Sequence, residues 1–181
     1  MVWSELRMNI RNFCYVGGPD DGQSEDDLTG KDYQLFLNIC FQYCASVSFI
    51  LTQGRHAAFG DAIIPAELEK YRIPTTRKVQ ATHGMQSEAH HFRLCKESQE
   101  IIRKMSPSMY SWTCDEFYRN PEDITFFRED ETVFFESVTH EGDFYLRVRD
   151  DEDVSALVSD PRWADIGDAK WYSIYPENPL A

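Results

Sequence analysis

Apolar and polar residues alternate most regularly between residues 124 and 149 of the chain. Three short segments rich in aromatic and β-branched residues are separated there by polar turns, and they cover residues 124–128, 132–138 and 144–149. Segments of this length and composition, joined by short polar turns, are typical of consecutive antiparallel strands. The pattern therefore predicts a β-meander over residues 124–149, and we expect it to form the continuous part of a sheet.

A helical period precedes the meander at residues 32–45. Leu35, Ile39, Phe41 and Cys44 fall near one side of such a helix, and further apolar residues widen that side. A broad apolar side indicates burial against more than one neighbour. The next residues, SVSFILT at 46–52, have the composition of a strand. A helix followed directly by a strand favours α+β packing, in which the helix lies across the sheet.

Shorter patterns complete the predicted fold. They indicate helices at residues 65–72, 97–105 and 154–159, and two further strands at residues 77–83 and 89–95. Residues 17–30 combine glycine, proline and five acidic residues without a base, which is typical of an acidic loop. We expect a single α+β domain over residues 1–181, with helices packed on a mainly antiparallel sheet of about five or six strands.

The charge of the chain is concentrated in one segment. The whole chain has 31 acidic and 18 basic residues, for a formal net charge of −13. Residues 115–153, which include the predicted meander, hold 14 of the acidic and four of the basic residues. This excess argues against nucleic-acid binding, which needs cations to neutralise phosphates. It favours a soluble protein or one whose partner is basic.

Composition also bears on the compartment. No apolar run approaches the roughly 18 residues of a membrane-spanning helix. The first residues, MVWSELRMNIRNF, lack the apolar core of a secretory signal. The five cysteines are odd in number and widely spaced, which favours a reducing compartment over a disulfide framework. We therefore expect a cytoplasmic protein that does not associate with a membrane.

The histidines suggest one alternative function. His83, His90 and His91 lie in one predicted hairpin, and His140-Glu141 lies in a predicted turn. Successive strand residues face opposite sides, so His90 and His91 cannot both serve one site. A site built on His83, His90 and His140 would suit a metal-dependent hydrolase. Histidines at the surface or in ordinary hydrogen bonds explain the same residues, and no motif for a cofactor is present.

The acidic residues around the meander indicate a different kind of site. Aromatic residues surrounded by charge are typical of protein–protein interfaces, and a negative surface accelerates encounter with a basic partner. A solvated acidic face is the simpler explanation of the same charges. Electrostatic contacts are predicted from Glu129, Asp130, Glu131, Asp150, Asp151, Glu152 and Asp153. The candidate aromatic anchors are Trp112, Tyr118 and Tyr145.

A sequence cassette in this region adds a family resemblance. It consists of Pro121-Glu122-Asp123-Ile124-Thr125-Phe126-Phe127, then Phe134-Phe135, then Val138-Thr139-His140-Glu141-Gly142. It resembles a cassette of small bacterial proteins, some of which are similar to immunity proteins that neutralise polymorphic toxins. The resemblance implies an inhibitor without catalytic residues.

We therefore expect a non-enzymatic binding protein of the immunity or antitoxin type, which blocks a basic toxin or nuclease domain and needs no cofactor. Two alternatives stay open. One is a metal-dependent hydrolase that uses the histidines. The other is a structural subunit of a larger assembly, in which the aromatic meander pairs with another chain.

Overall fold

A computed structural model describes residues 10–16, 27–51, 62–80, 86–114 and 119–167, with the backbone alone at 75–80, 86–87 and 140. The strands in these ranges are β1 Ile10–Tyr15, β2 Ser46–Ile50, β3 Arg72–Gln80, β4 Gln86–Arg93, β5 Glu122–Phe127, β6 Val133–Val138, β7 Asp143–Arg149 and β8 Trp163–Gly167. The helices are α1 Gly30–Tyr43, α2 Lys96–Met105 and α3 Ser155–Val158. None of the helices in these ranges has the length and apolar character needed to cross a membrane.

The eight strands form one antiparallel sheet in the order β3-β4-β2-β5-β6-β7-β1-β8. The predicted α+β class with a mainly antiparallel sheet is confirmed. Strands β5, β6 and β7 are neighbours in chain order, and their bounds lie within two residues of the predicted segments. The residues expected to form an acidic loop lie mostly outside the described part of the chain, which begins again at Asp27.

The expected number of five or six strands is wrong, because β1 and β8 extend the sheet to eight. Strand β1 lies between β7 and β8, with Phe13 opposite Leu146 on one side and Asp165 on the other. Its side chains alternate poorly, since Arg11 and Asn12 precede the buried Phe13. In β8 the buried Trp163 is followed by polar or half-exposed positions. The local sequence pattern of β1 and β8 is therefore weak, and pairing with distant strands determines both.

A second correction concerns residues 65–72, which were expected to be helical. They contain only the 3-10 turn Leu68–Tyr71, and the chain enters β3 at Arg72. Strand β3 lies at one edge of the sheet and contains Pro74. An edge strand tolerates proline, because the N–H groups on its outer side have no neighbouring strand to bond and one of them can be missing without loss. Pro74 therefore falls inside a strand and does not mark the end of a helix.

Helix α1 packs on the centre of the meander through aromatic side chains. The Phe36 ring lies edge-on to Phe135 and Phe126, with ring centroids 4.7 Å and 6.3 Å away. All three rings are fully buried. Helix α2 lies beside α1, where Arg103 Nη1 donates to Gln34 Oε1 at 2.6 Å. The broad apolar side predicted from the sequence thus contacts the sheet, while the flank of α1 meets the second helix.

The segment after α2 is joined to α1 by buried polar groups. Trp112 Nε1 donates to Tyr33 Oη at 2.7 Å, and the Trp112 ring stacks on Phe49 at a centroid distance of 5.2 Å. Ser106 and Ser111 share a hydrogen bond between their hydroxyls nearby, and both are buried. A buried indole or phenol needs such a partner, because an unmade hydrogen bond in the core is costly. Trp112 is therefore a core residue.

This packing predicts the effect of Phe135→Ala. Loss of the ring should lower the free energy of unfolding by about 3–5 kcal/mol, through lost burial and the cavity that remains. Ile63→Ala, at an exposed position, should change it by less than about 0.5 kcal/mol. Urea unfolding followed by circular dichroism measures both. Equal effects would contradict the packing of α1 on the meander.

Candidate functional site

Two acidic turns lie side by side at one end of the meander. The first, residues 128–132, joins β5 to β6, and the second, residues 150–153, follows β7. Arg149 connects them: its Nη2 donates to Asp130 Oδ2 at 2.5 Å and to Thr132 Oγ1 at 2.8 Å. The predicted acidic residues, although separated by some twenty positions, are thus brought together. We call the exposed members the acidic surface: Glu129, Asp130, Glu131, Asp150, Asp151 and Asp153.

Arg128 lies buried beneath this surface. Its guanidinium forms two hydrogen bonds with Glu152, from Nε to Oε1 at 2.5 Å and from Nη2 to Oε2 at 2.7 Å, and both side chains are only 6% exposed. The remaining donors reach the carbonyls of Val133 (2.7 Å) and Arg147 and the hydroxyl of Thr132 (3.3 Å). All five N–H groups therefore have acceptors, as a buried charge requires.

Glu152 was predicted to contribute charge to the surface, and the structure corrects this prediction. Its carboxylate is paired with Arg128 in the interior, and Oε2 also accepts from the backbone N–H of Arg149 at 2.7 Å. The carboxylate therefore neutralises a buried cation and fixes the turn after β7. Its neighbours in sequence, Asp151 and Asp153, remain exposed.

Local hydrogen bonds hold two carboxylates of the acidic surface in their ionised form. Partial burial raises the pKa of Asp130, but hydrogen bonds from Thr132 and Arg149 outweigh it and set the pKa at about 2. Hydrogen bonds from the Ser155 side chain and backbone, at 2.6 Å and 3.0 Å, lower the pKa of Asp153. Both groups are therefore charged and oriented at neutral pH.

The three candidate aromatic anchors differ in where they lie in the structure. Trp112 is fully buried in the core and cannot contact a partner from the surface. Tyr118 lies outside the described residues. Tyr145 is half-buried on β7, opposite Glu136 on β6 and Cys14 on β1. Burial and the nearby Asp143 raise the pKa of Tyr145 to about 12.

An aromatic residue that the sequence did not suggest lies beside the acidic surface. Tyr43, at the end of α1, is half-buried, and its hydroxyl accepts from the backbone N–H of Asp153 at 2.8 Å. The Tyr43 ring packs against Phe134 with a centroid distance of 5.7 Å. The two contacting residues are 110 positions apart in the chain, so no local pattern signals the contact. Tyr43 gives the acidic surface an aromatic border.

The histidines are not brought together in the part of the chain that the structure describes. His83 lies outside that part, and only the backbone of His140 is described. His90 Nδ1 shares a hydrogen bond with Arg72 Nη1 at 2.6 Å, and burial and Arg72 lower the pKa of His90. His91 is buried beside the Phe127 ring. The described residues include no group of three or more histidine, cysteine or acidic side chains that could hold a metal ion.

Three acidic residues of the same segment are buried, which the sequence reasoning did not anticipate. Glu122 and Asp123 begin β5, and Glu136 lies in β6. Glu122 and Asp123 lie at the end of β5 opposite the acidic surface, and Glu136 lies opposite Thr125 of β5. The only signal in the sequence is the position of Glu136 inside a strand of otherwise apolar and small residues, VFFESV.

Comparisons with known proteins add no assignment. No protein-family model matches the chain, and the searches of curated proteins and of solved structures also found no match. The resemblance of residues 121–142 to immunity proteins therefore stays a prediction.

The buried pair predicts the effect of Arg128→Met. The substitution leaves Glu152 as an uncompensated buried charge, which should lower the free energy of unfolding by about 3–5 kcal/mol. The matched control is Arg11→Met, which breaks the exposed ion pair with Asp165 (2.8 Å) and should cost about 0–1 kcal/mol. Urea unfolding at neutral pH measures both. Similar small effects for the two variants would contradict the structural role of Arg128.

Proposed function

We propose that this chain is a non-enzymatic binding protein of the immunity or antitoxin type, which inhibits a basic toxin or nuclease domain. The observation that carries the proposal is the convergence of two acidic turns into one exposed surface on a buried Arg128–Glu152 pair. A solvated acidic face would not need this support. Turns tied to a buried ion pair present their carboxylates at fixed positions.

Fixed carboxylates favour binding for a thermodynamic reason. Each flexible side chain that a complex immobilises costs about 0.5–1.5 kcal/mol, and pre-orientation removes part of that cost. Asp130 is already held by Arg149 and Thr132, and Asp153 is held by Ser155. A partner that presents arginine and lysine side chains would therefore meet an ordered set of acceptors.

The distribution of charge supports the same partner. The turn residues 128–132 and 149–153 contain seven acidic residues and two arginines. The two arginines pair with Glu152 and Asp130, so the surface keeps a negative excess. Such a surface steers a basic partner and raises the association rate, and salt screens the effect. The acidic surface would act by occupying the basic cleft of the partner.

The proposal predicts the effect of reversing three charges, Glu129→Lys, Glu131→Lys and Asp151→Lys. The partner for this measurement would be a basic protein captured with this chain from its native host, or one found encoded beside it there. Association measured by stopped flow at low salt should slow by at least about tenfold, because steering is lost. The difference should shrink at high salt, where surface charges are screened.

The matched control reverses three exposed acids elsewhere, Glu67→Lys, Glu88→Lys and Glu100→Lys. It makes the same change in net charge, so it separates the acidic surface from total charge. Co-expression provides a functional readout: the native chain and the control should restore growth to cells that make the basic domain, and the first variant should not. Equal rates and equal rescue for both variants would exclude this surface as the interface.

A further inference from the structure

Strand β5 begins with a bulge at a buried acidic residue. Ser48 of β2 lies opposite Thr125, but Ile50 lies opposite Glu122, so β5 has one residue more than β2 between these pairs. Asp123 is within this interval and has a φ of 52°. Bulges of this kind commonly place glycine in the left-handed region, because a Cβ atom is strained there. The position is therefore strained, and an acidic side chain occupies it.

The Asp123 side chain links this bulge to the next turn of the chain. Its Oδ1 accepts a hydrogen bond from the backbone N–H of Thr139 at 2.9 Å. Thr139 begins the 3-10 turn Thr139–Glu141, which joins β6 to β7. Aspartate adopts a left-handed conformation more readily than most residues other than glycine. The bulge and the turn are thus held together through one carboxyl group.

This carboxyl group is in an environment that disfavours its charge. Asp123 is 2% exposed. Glu122 on β5, Glu136 on β6 and Glu141 in the turn act on it as like charges, the turn also contains His140, and β2, with the sequence SVSFI, brings no titratable group. Burial and these carboxylates raise the pKa of Asp123 to about 7, although the hydrogen bond from Thr139 opposes the shift.

We propose that Asp123 is a proton-controlled latch: in its neutral form it holds the Thr139–Glu141 turn against the β5 bulge, and its ionisation loosens that contact. The ionised group would be a buried charge among three carboxylates, at a strained backbone position. Opening of the bulge and the turn admits water to the carboxylate and relieves the strain. The least costly response to ionisation is therefore local.

The sign of the pH dependence follows from the two states of the group. In the unfolded chain Asp123 loses its proton near its ordinary pKa of 3.8, and in the folded chain near 7. The folded state binds the additional proton between these values. The stability that the neutral group contributes is complete below about pH 4 and is lost as the pH rises through about 7. The latch contact is therefore strongest in mild acid and weaker in mild base.

Asp123→Asn tests the latch, because asparagine has the same shape, accepts the same hydrogen bond and tolerates a left-handed conformation. It cannot ionise. Amide hydrogen exchange gives the protection factor of the Thr139 N–H in the native chain and the variant. The protection factor of the Thr139 N–H in the variant, divided by that in the native chain, should be close to one at pH 5. It should reach at least about tenfold at pH 8.5, which is more than one pH unit above the midpoint.

The control is Asp130→Asn, which removes a carboxylate of the acidic surface that is ionised at both pH values. For this variant, the protection factor of the Thr139 N–H relative to the native chain should be the same at pH 5 and pH 8.5. A ratio for Asp123→Asn that is equally constant would overturn the proposal. A second measurement needs no variant: the carboxyl carbon of Asp123 in the native chain, followed by carbon-13 resonance, should titrate near pH 7 together with the Thr139 amide. Titration below pH 5 would also overturn the proposal.

Discussion

The acidic end of this molecule depends on the ion pair and the hydrogen bonds of the buried Arg128 guanidinium. The guanidinium contacts three parts of the chain at once: the first residue of β6, Arg147 of β7 and the turn that contains Glu152. A buried cation requires an acceptor for each of its donors, so these backbone segments have little freedom to move apart. Phe134 packs beneath the guanidinium, with its ring centroid 5.1 Å from Cζ. The same arginine therefore fixes the meander and positions the exposed carboxylates.

Among the described acidic residues of positions 119–153, two groups differ physically. Those of the acidic surface are exposed, and two of them have lowered pKa values because cations or hydroxyls contact them. Glu122 and Asp123 are buried at the opposite end of β5, where burial and neighbouring carboxylates raise the pKa of Asp123. The net charge of the segment thus overstates what its surface presents. We propose that the first group binds a basic partner and that Asp123 of the second responds to protons.

The parts of the fold that could be predicted are those with a strong local pattern. Strands β5 to β7 alternate over short polar turns, and α1 has a continuous apolar side, so both are recognised from neighbouring residues. Strands β1 and β8 are not, because Arg11, Asn12 and Asp165 interrupt their patterns and distant strands supply the pairing. The sheet order, in which β1 joins β7 to β8, depends on contacts across most of the chain.

The candidate site could be predicted to a similar extent. Charge clustering and the meander together place the two acidic turns at one end of the sheet. The burial of Glu152 depends on Arg128, which is 24 positions away, and the Tyr43 contact on a residue 110 positions away. Trp112 looks like a surface anchor beside other aromatic residues, but its indole faces Tyr33 in the core. Such partners are determined by tertiary packing, which local composition does not encode.

The central claim is that the acidic surface contacts a basic partner. Hydrogen exchange of the chain alone and in the purified complex, resolved by mass spectrometry, tests it most directly. In the complex, exchange should slow mainly in residues 128–132 and 150–153. Unchanged exchange in both turns, together with slower exchange at an edge strand such as β3, would contradict it.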